Sequence, residues 1–125
     1  MKRYSRRTFD LKAILIALGF AMQGLVAAWK REAAFRQECL MGLVLVPLAF
    51  YLTSEPLLRF LLIGVWWWLL VVELINSSIE TVVDRFDTYH PLFGTAKDIA
   101  AAAVWLSFLW LVFVWAWFLI SIFAK

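Results

Sequence analysis

The sequence predicts an all-α membrane protein, with an N-terminal amphipathic surface helix followed by three transmembrane helices. Three observations carry that prediction. Of its 125 residues 65% are hydrophobic and 18% aromatic, including eight Trp, which is more apolar surface than a soluble core of this size can hide. Several apolar runs are long enough to cross a bilayer. The polar residues that break those runs gather where the chain meets a cluster of basic residues.

The whole chain, 1–125, reads as one domain. The single Cys39 excludes a disulfide framework and lacks a partner spacing for zinc, so it reads as an inert small hydrophobe. A nucleic-acid partner is excluded, because the basic residues sit at the start of an otherwise lipid-loving chain.

At the N-terminus, Ser5-Arg6-Arg7-Thr8-Phe9 resembles a twin-arginine export signal, but no A-x-A cleavage site follows. These basic residues are read instead as holding the N-terminus inside. Residues 8–29 follow as an interfacial helix, since the apolar run Ala13 to Met22 is too short for a span. Ala17, Gly19, Ala21, Gly24, Ala27 and Ala28 would let lipid or another helix approach closely. A fourth span here is the weaker alternative.

The first span is placed at 33–52. Cys39 to Leu52 alone covers only about 21 Å, so the helix is extended back to Ala33, bringing Arg36, Gln37 and Glu38 into its inner end. Pro47 is expected to kink it, which membrane helices tolerate. The second span is 57–84, with Pro56 suited to its first turn. The third is 98–124, where Ile99 to Ala124 is interrupted only by Ser107 and Ser121 and reaches about 39 Å. Trp66, Trp67, Trp68 and Trp105 lie too deep to form only an interfacial belt, so they face lipid or pack between helices.

Charge sets the orientation. Of twelve Lys and Arg, only Arg59 and Lys125 lie at the ends opposite the others. Lys2, Arg3, Arg6, Arg7, Lys12, Lys30, Arg31 and Arg36 precede or open the first span, and Arg85 and Lys97 flank the loop after the second. The positive-inside rule puts the N-terminus and the Phe86–Ala96 loop in the cytoplasm.

The second span ends in V-E-L-I-N-S-S-I-E-T-V-V-D-R, Val72 to Arg85. Glu73 falls about 24 Å along a helix that crosses a ~30 Å core, and Glu80 about 10 Å further, near the interface. At ~100° per residue Glu73, Asn76, Ser77, Glu80 and Asp84 share one face. An intramembrane carboxylate costs at least ~2.5 kcal/mol to insert, so such a ladder marks function more readily than a hydrogen-bonding face between helices. Glu32, Glu38, Lys97 and Asp98 are expected at the same level. Hard oxygen ligands at the waterline suit Mg²⁺, which shares its shell with waters and substrate phosphates. A lysine beside them suits a polyphosphate, and a deeper carboxylate base completes a phosphoryl-transfer set acting on a membrane-held hydroxyl. No G-x-x-x-x-G-K-[ST], G-x-G-x-x-G or kinase catalytic loop accompanies it.

Glu32-Ala-Ala-Phe-Arg-Gln-Glu38, Val72 to Arg85, Gly94-x-Ala-Lys-Asp98 and, more weakly, Gly24-Leu-Val-Ala-Ala-Trp29 resemble the small bacterial integral-membrane diacylglycerol kinase family. The resemblance covers nearly the whole chain, and E-x-x-N-S-x-I-E-x-x-x-D-R is its most specific part. It implies a homotrimer with shared active sites in the bacterial inner membrane, moving the ATP γ-phosphate to the primary hydroxyl of diacylglycerol. Glu73 matches the general base, Asn76 the residue that orients it or the lipid hydroxyl, and Glu32 and Glu80 the carboxylates that hold Mg²⁺ on the ATP phosphates. Lys97 and Asp98 match phosphate-contacting positions, and Tyr89 and His90 the loop near the nucleotide. Trp29, Phe35, Arg36, Gln37 and Glu38 fall, with Glu73, where lipid contacts lie.

There are departures and rivals. The Phe86–Phe93 loop looks one residue short, Pro91 follows His90, and Ala13, Phe20 and Gln23 stand where basic or hydroxylated residues are common. Lys97 with Asp98 could be a surface ion pair, Glu38 could pair with Arg36, and Tyr89 and His90 could be ordinary loop residues. Within the family, undecaprenol is the alternative substrate. Outside it stand a proton-coupled multidrug transporter and a non-catalytic membrane scaffold.

Overall fold

The computed structural model describes residues 9–125. Lys2, Arg3, Arg6, Arg7, most of the twin-arginine stretch and the first residue of the expected interfacial helix lie outside that range. The described residues form four helices and no strand: α1 (Leu11–Arg31), α2 (Ala33–Leu52), α3 (Pro56–Val83) and α4 (Pro91–Phe123). All four are long and apolar enough to cross a membrane by length and composition. The fold class is the all-α membrane class that the sequence predicts.

Asp10 caps α1 by accepting from the amides of Lys12 at 3.1 Å and Ala13 at 3.3 Å. Lys30 and Arg31 occupy its last turn, where the helix dipole favours cations. One extended residue, Glu32, separates α1 from α2. Its amide donates to Ala28 O at 2.8 Å, and its carbonyl accepts from Arg36 N at 3.2 Å. Arg36 then reaches back: its Nη1 donates to Trp29 O at 2.8 Å and Lys30 O at 3.3 Å, satisfying carbonyls that the end of α1 leaves without partners. The alternative in which Glu38 pairs with Arg36 is not formed, because the open carbonyls of α1 lie within reach of the guanidinium.

α2 runs unbroken through Pro47. A second arginine closes the turn after it. Arg59 donates from Nε to Thr53 O at 2.6 Å and from Nη2 to Phe50 O at 3.2 Å, with its guanidinium 4.8 Å from the Phe50 ring centre. The third predicted span begins as a helix at Pro91 rather than at residue 98. His90 explains the difference, because its Nδ1 accepts from Leu92 N at 3.1 Å and Pro91 takes the first helical position.

The core lies between α3 and its two neighbours. Leu62, Val65 and Leu69 of α3 pack against Leu111, Val114, Trp115 and Phe118 of α4 and Ala49 of α2. Trp115 Nε1 donates to Leu62 O at 3.3 Å, which gives the buried indole a partner. The three consecutive tryptophans divide: Trp66 packs on α2 at Gly42, while Trp67 and Trp68 stay exposed on the bundle surface. In α1 only Ala28 is buried, and nearly all its apolar side chains are left for another apolar environment.

Candidate active site

Three helices and the α1–α2 junction border an open pocket of about 440 Å³ lined by Glu32, Ala34, Glu38, Glu73, Asn76, Glu80, Ala101, Val104, Trp105 and Phe108. Each polar group arrives by a local rule. Glu32 is the cap of α2, yet its side chain makes no capping bond, so its carboxylate is free to face the pocket. Glu38 follows on the first turns of α2 and is buried. Glu73, Asn76 and Glu80 stand at intervals of three and four on α3, which places them on one stripe. Glu73 is the most enclosed of the four acids, at 3% exposed. Asn76 Nδ2 donates to Glu80 Oε1 across a long 3.5 Å, orienting the amide with its oxygen free.

The pocket holds four carboxylates, and no Lys, Arg or His is among its lining residues. Asn76 Oδ1 and Glu38 Oε2 are buried without a hydrogen-bond partner. Buried acceptors without donors are costly, so this set is built to receive positive charge or donors from outside. No three His, Cys, Asp or Glu side chains among the described residues are placed to hold a metal by themselves. The donor set suits an ion that takes one or two carboxylates and completes its shell with phosphate oxygens and water, which is the habit of Mg²⁺.

The expected single acidic face divides. Ser77 lies at the edge of the stripe, about 40° round from Glu73, and lines a groove of about 630 Å³ against α1 instead. That groove also takes in Ala21, Gly24, Ala28, Arg31, Leu74, Ser78 and Thr81, and Glu32 lines both it and the acidic pocket. Asp84 is the C-cap of α3, its amide still donating to Glu80 O at 2.9 Å, but its side chain is drawn toward α4 rather than into the pocket. It accepts from Lys97 Nζ at 2.8 Å, the one salt bridge among the described residues. Lys97 thus pairs with Asp84 rather than Asp98, which is exposed outside the pocket.

The loop residues separate in the same way. His90 caps α4, whereas Tyr89 is 93% exposed. Both line a shallow cleft of about 520 Å³ with Asp84, Asp87 and Thr88. Phe86 stacks on Phe93 at 5.0 Å to close the loop. Of the residues anticipated at the lipid, Trp29 and Phe35 line an apolar groove of about 530 Å³ with Cys39, Trp67 and Leu74. Arg36 is spent on the end of α1, Gln37 is exposed, and Glu38 belongs to the acidic pocket. Sequence reasoning missed the α4 wall, Ala101, Val104, Trp105 and Phe108, whose three- and four-residue spacing was its only signal.

An integral-membrane helical protein with acids converging at one end of its bundle is the class that fold and pocket define. The chain belongs to the prokaryotic diacylglycerol kinase family, whose sequence profile matches residues 19–119. The diacylglycerol kinase of Escherichia coli strain K12 is 42% identical over 106 residues, covering 84% of this chain and 87% of that protein. That of Pseudomonas aeruginosa strain PAO1 is 48% identical over 94 residues, covering 74% and 76%. That of Helicobacter pylori strain 26695 is 40% identical over 115 residues, covering 91% and 90%.

Proposed function

We infer that the chain is an ATP-dependent lipid kinase that moves the γ-phosphate of ATP to the primary hydroxyl of diacylglycerol, giving phosphatidic acid. Family membership supports the reaction class. The observation that carries the site is the convergence of Glu32, Glu38, Glu73, Asn76 and Glu80 on one pocket.

Glu73, the deepest acid, takes the proton from the lipid hydroxyl onto a carboxylate oxygen as the hydroxyl oxygen attacks the γ-phosphorus, and the bond from the γ-phosphorus to the bridging oxygen breaks to release ADP. Asn76, one turn further along α3, orients that hydroxyl by donating to its oxygen from the Nδ2 hydrogen that Glu80 does not take. Glu32 and Glu80 would hold Mg²⁺, which when bound would neutralise charge on the phosphate oxygens. Val104, Trp105 and Phe108 wall the pocket and limit water that would compete with the lipid as acceptor. Lys97, oriented by Asp84, and the cleft around Tyr89 and His90 serve the nucleotide, with Asp98 beside them. The apolar grooves flanking α1, one containing Trp29 and Phe35, receive acyl chains.

The protein sits in the bacterial inner membrane with its N-terminus and the loop after α3 cytoplasmic, a placement supported by the basic bias. α1 lies along the surface, and the assembly is a homotrimer. A phosphate-transfer assay with radiolabelled ATP, offering diacylglycerol and undecaprenol side by side in mixed micelles, tests the reading. Phosphatidic acid as the main product supports it; label entering only undecaprenol, or neither lipid, overturns it.

A further inference from the structure

Trp66 makes a contact that the lipid-kinase reading does not use. Its Nε1 donates to the backbone carbonyl of Glu38 at 2.8 Å. The approach requires Gly42, since a Cβ at that position would clash with the edge of the indole at Cζ2, Cε2 and Nε1. The helical ladder of α2 already directs the amide of Gly42 to the Glu38 carbonyl, so the indole adds a second donor to a satisfied acceptor. Main-chain satisfaction therefore does not explain the bond.

Geometry supplies another account. Side chains in a helix lean toward its N-terminus, while carbonyls point toward its C-terminus. Trp66 thus grips Glu38 on one side, and the Glu38 carboxylate leaves on the other, into the acidic pocket. On α3, Trp66 stands two turns before Glu73, within about 20° of the same direction. One side chain therefore ties the α2 residue that carries one acid to the α3 stripe that carries three other polar groups of the pocket. Among the described residues no other side-chain hydrogen bond joins α2 to α3 at that level. Glu38 Oε2 has no partner, and Glu32 and Glu73 make no side-chain hydrogen bond among the described residues.

We propose that Trp66, seated on Gly42, is a positioning residue that fixes the depth of the Glu38 carboxylate relative to Glu73. Its kinetic consequence rests on the kinase reading, but the geometric claim does not. Trp66→Phe removes the N–H and leaves the Glu38 carbonyl satisfied, so the bundle should assemble. Turnover should fall about tenfold, short of the ~100-fold that a misplacement of a full ångström costs. KM for ATP should stay unchanged. In a Glu38→Gln background the same substitution should have no further effect, because the group it positions is gone. A merely structural tryptophan would lower activity by the same factor in both backgrounds.

An infrared comparison needs no turnover. Trp66→Phe should shift a carboxyl band that Glu38→Gln abolishes. If Trp66→Phe fails to assemble, benzothienylalanine at position 66 keeps the ring shape and removes only the donor. Wild-type turnover in the variant, an equal loss in both backgrounds, or no Glu38-dependent band shift overturns the proposal. If the unsubstituted protein transfers no phosphate, the kinase reading fails and the infrared comparison still decides the inference.

Discussion

A carboxylate inside an apolar bundle persists only if something returns the stabilisation that desolvation removes. On the kinase reading that return comes with the substrates, since the lining of the acidic pocket carries acids and an amide but no cation. Glu73→Gln is expected to lower turnover by ~10²–10⁴, the range of a general base, while the fold is kept. Glu32→Gln and Glu80→Gln should instead raise the Mg²⁺ concentration at half-maximal rate, read from a metal titration at fixed ATP. Lys97 separates stability from function. Its pair with Asp84 is 37% and 63% exposed, so Lys97→Met should change unfolding stability by less than ~1 kcal/mol while raising KM for ATP. The acids were legible in the sequence because helical spacing groups them. The orientation of Ser77 toward α1 and the Asp84–Lys97 pairing were not, since a helix edge and a helix end follow tertiary neighbours rather than period.

Among the elements, α1 depends on side-chain bonds more than on packing, having a single buried residue. Arg36 supplies two of those bonds at the α1–α2 break. Arg36→Ala should loosen this junction by roughly 1 kcal/mol, seen as faster amide exchange in the last turn of α1 with α3 and α4 unchanged. Gly42→Ala should destabilise by ~1–3 kcal/mol, because the indole of Trp66 occupies the space its methyl needs. The bounds of α2 were readable from the need to extend a short apolar run back to Ala33. The early start of α4 was hidden because His90 caps through its ring nitrogen, outside the usual capping residues. Which side of α4 faces the pocket was hidden too, since an apolar helix shows no polar stripe to mark its outside.

At the scale of the molecule, the helices meet at two ends of different chemistry. Arg59 and Thr53 clip the α2–α3 turn at one end, and acids, the Asp84–Lys97 pair and the His90 cap gather at the other. Single cysteines at Ser54 and Thr88, placed in a background lacking Cys39, should label from opposite sides of the membrane with an impermeant thiol reagent. Thr88 should react from the cytoplasm. The most direct measurement compares the unsubstituted protein with Glu73→Gln in the radiolabelled transfer assay, alongside ATP binding. Phosphatidic acid made only by the unsubstituted protein, with ATP bound equally by both, is the predicted result. Equal transfer by both proteins, or no nucleotide consumed by either, would contradict it.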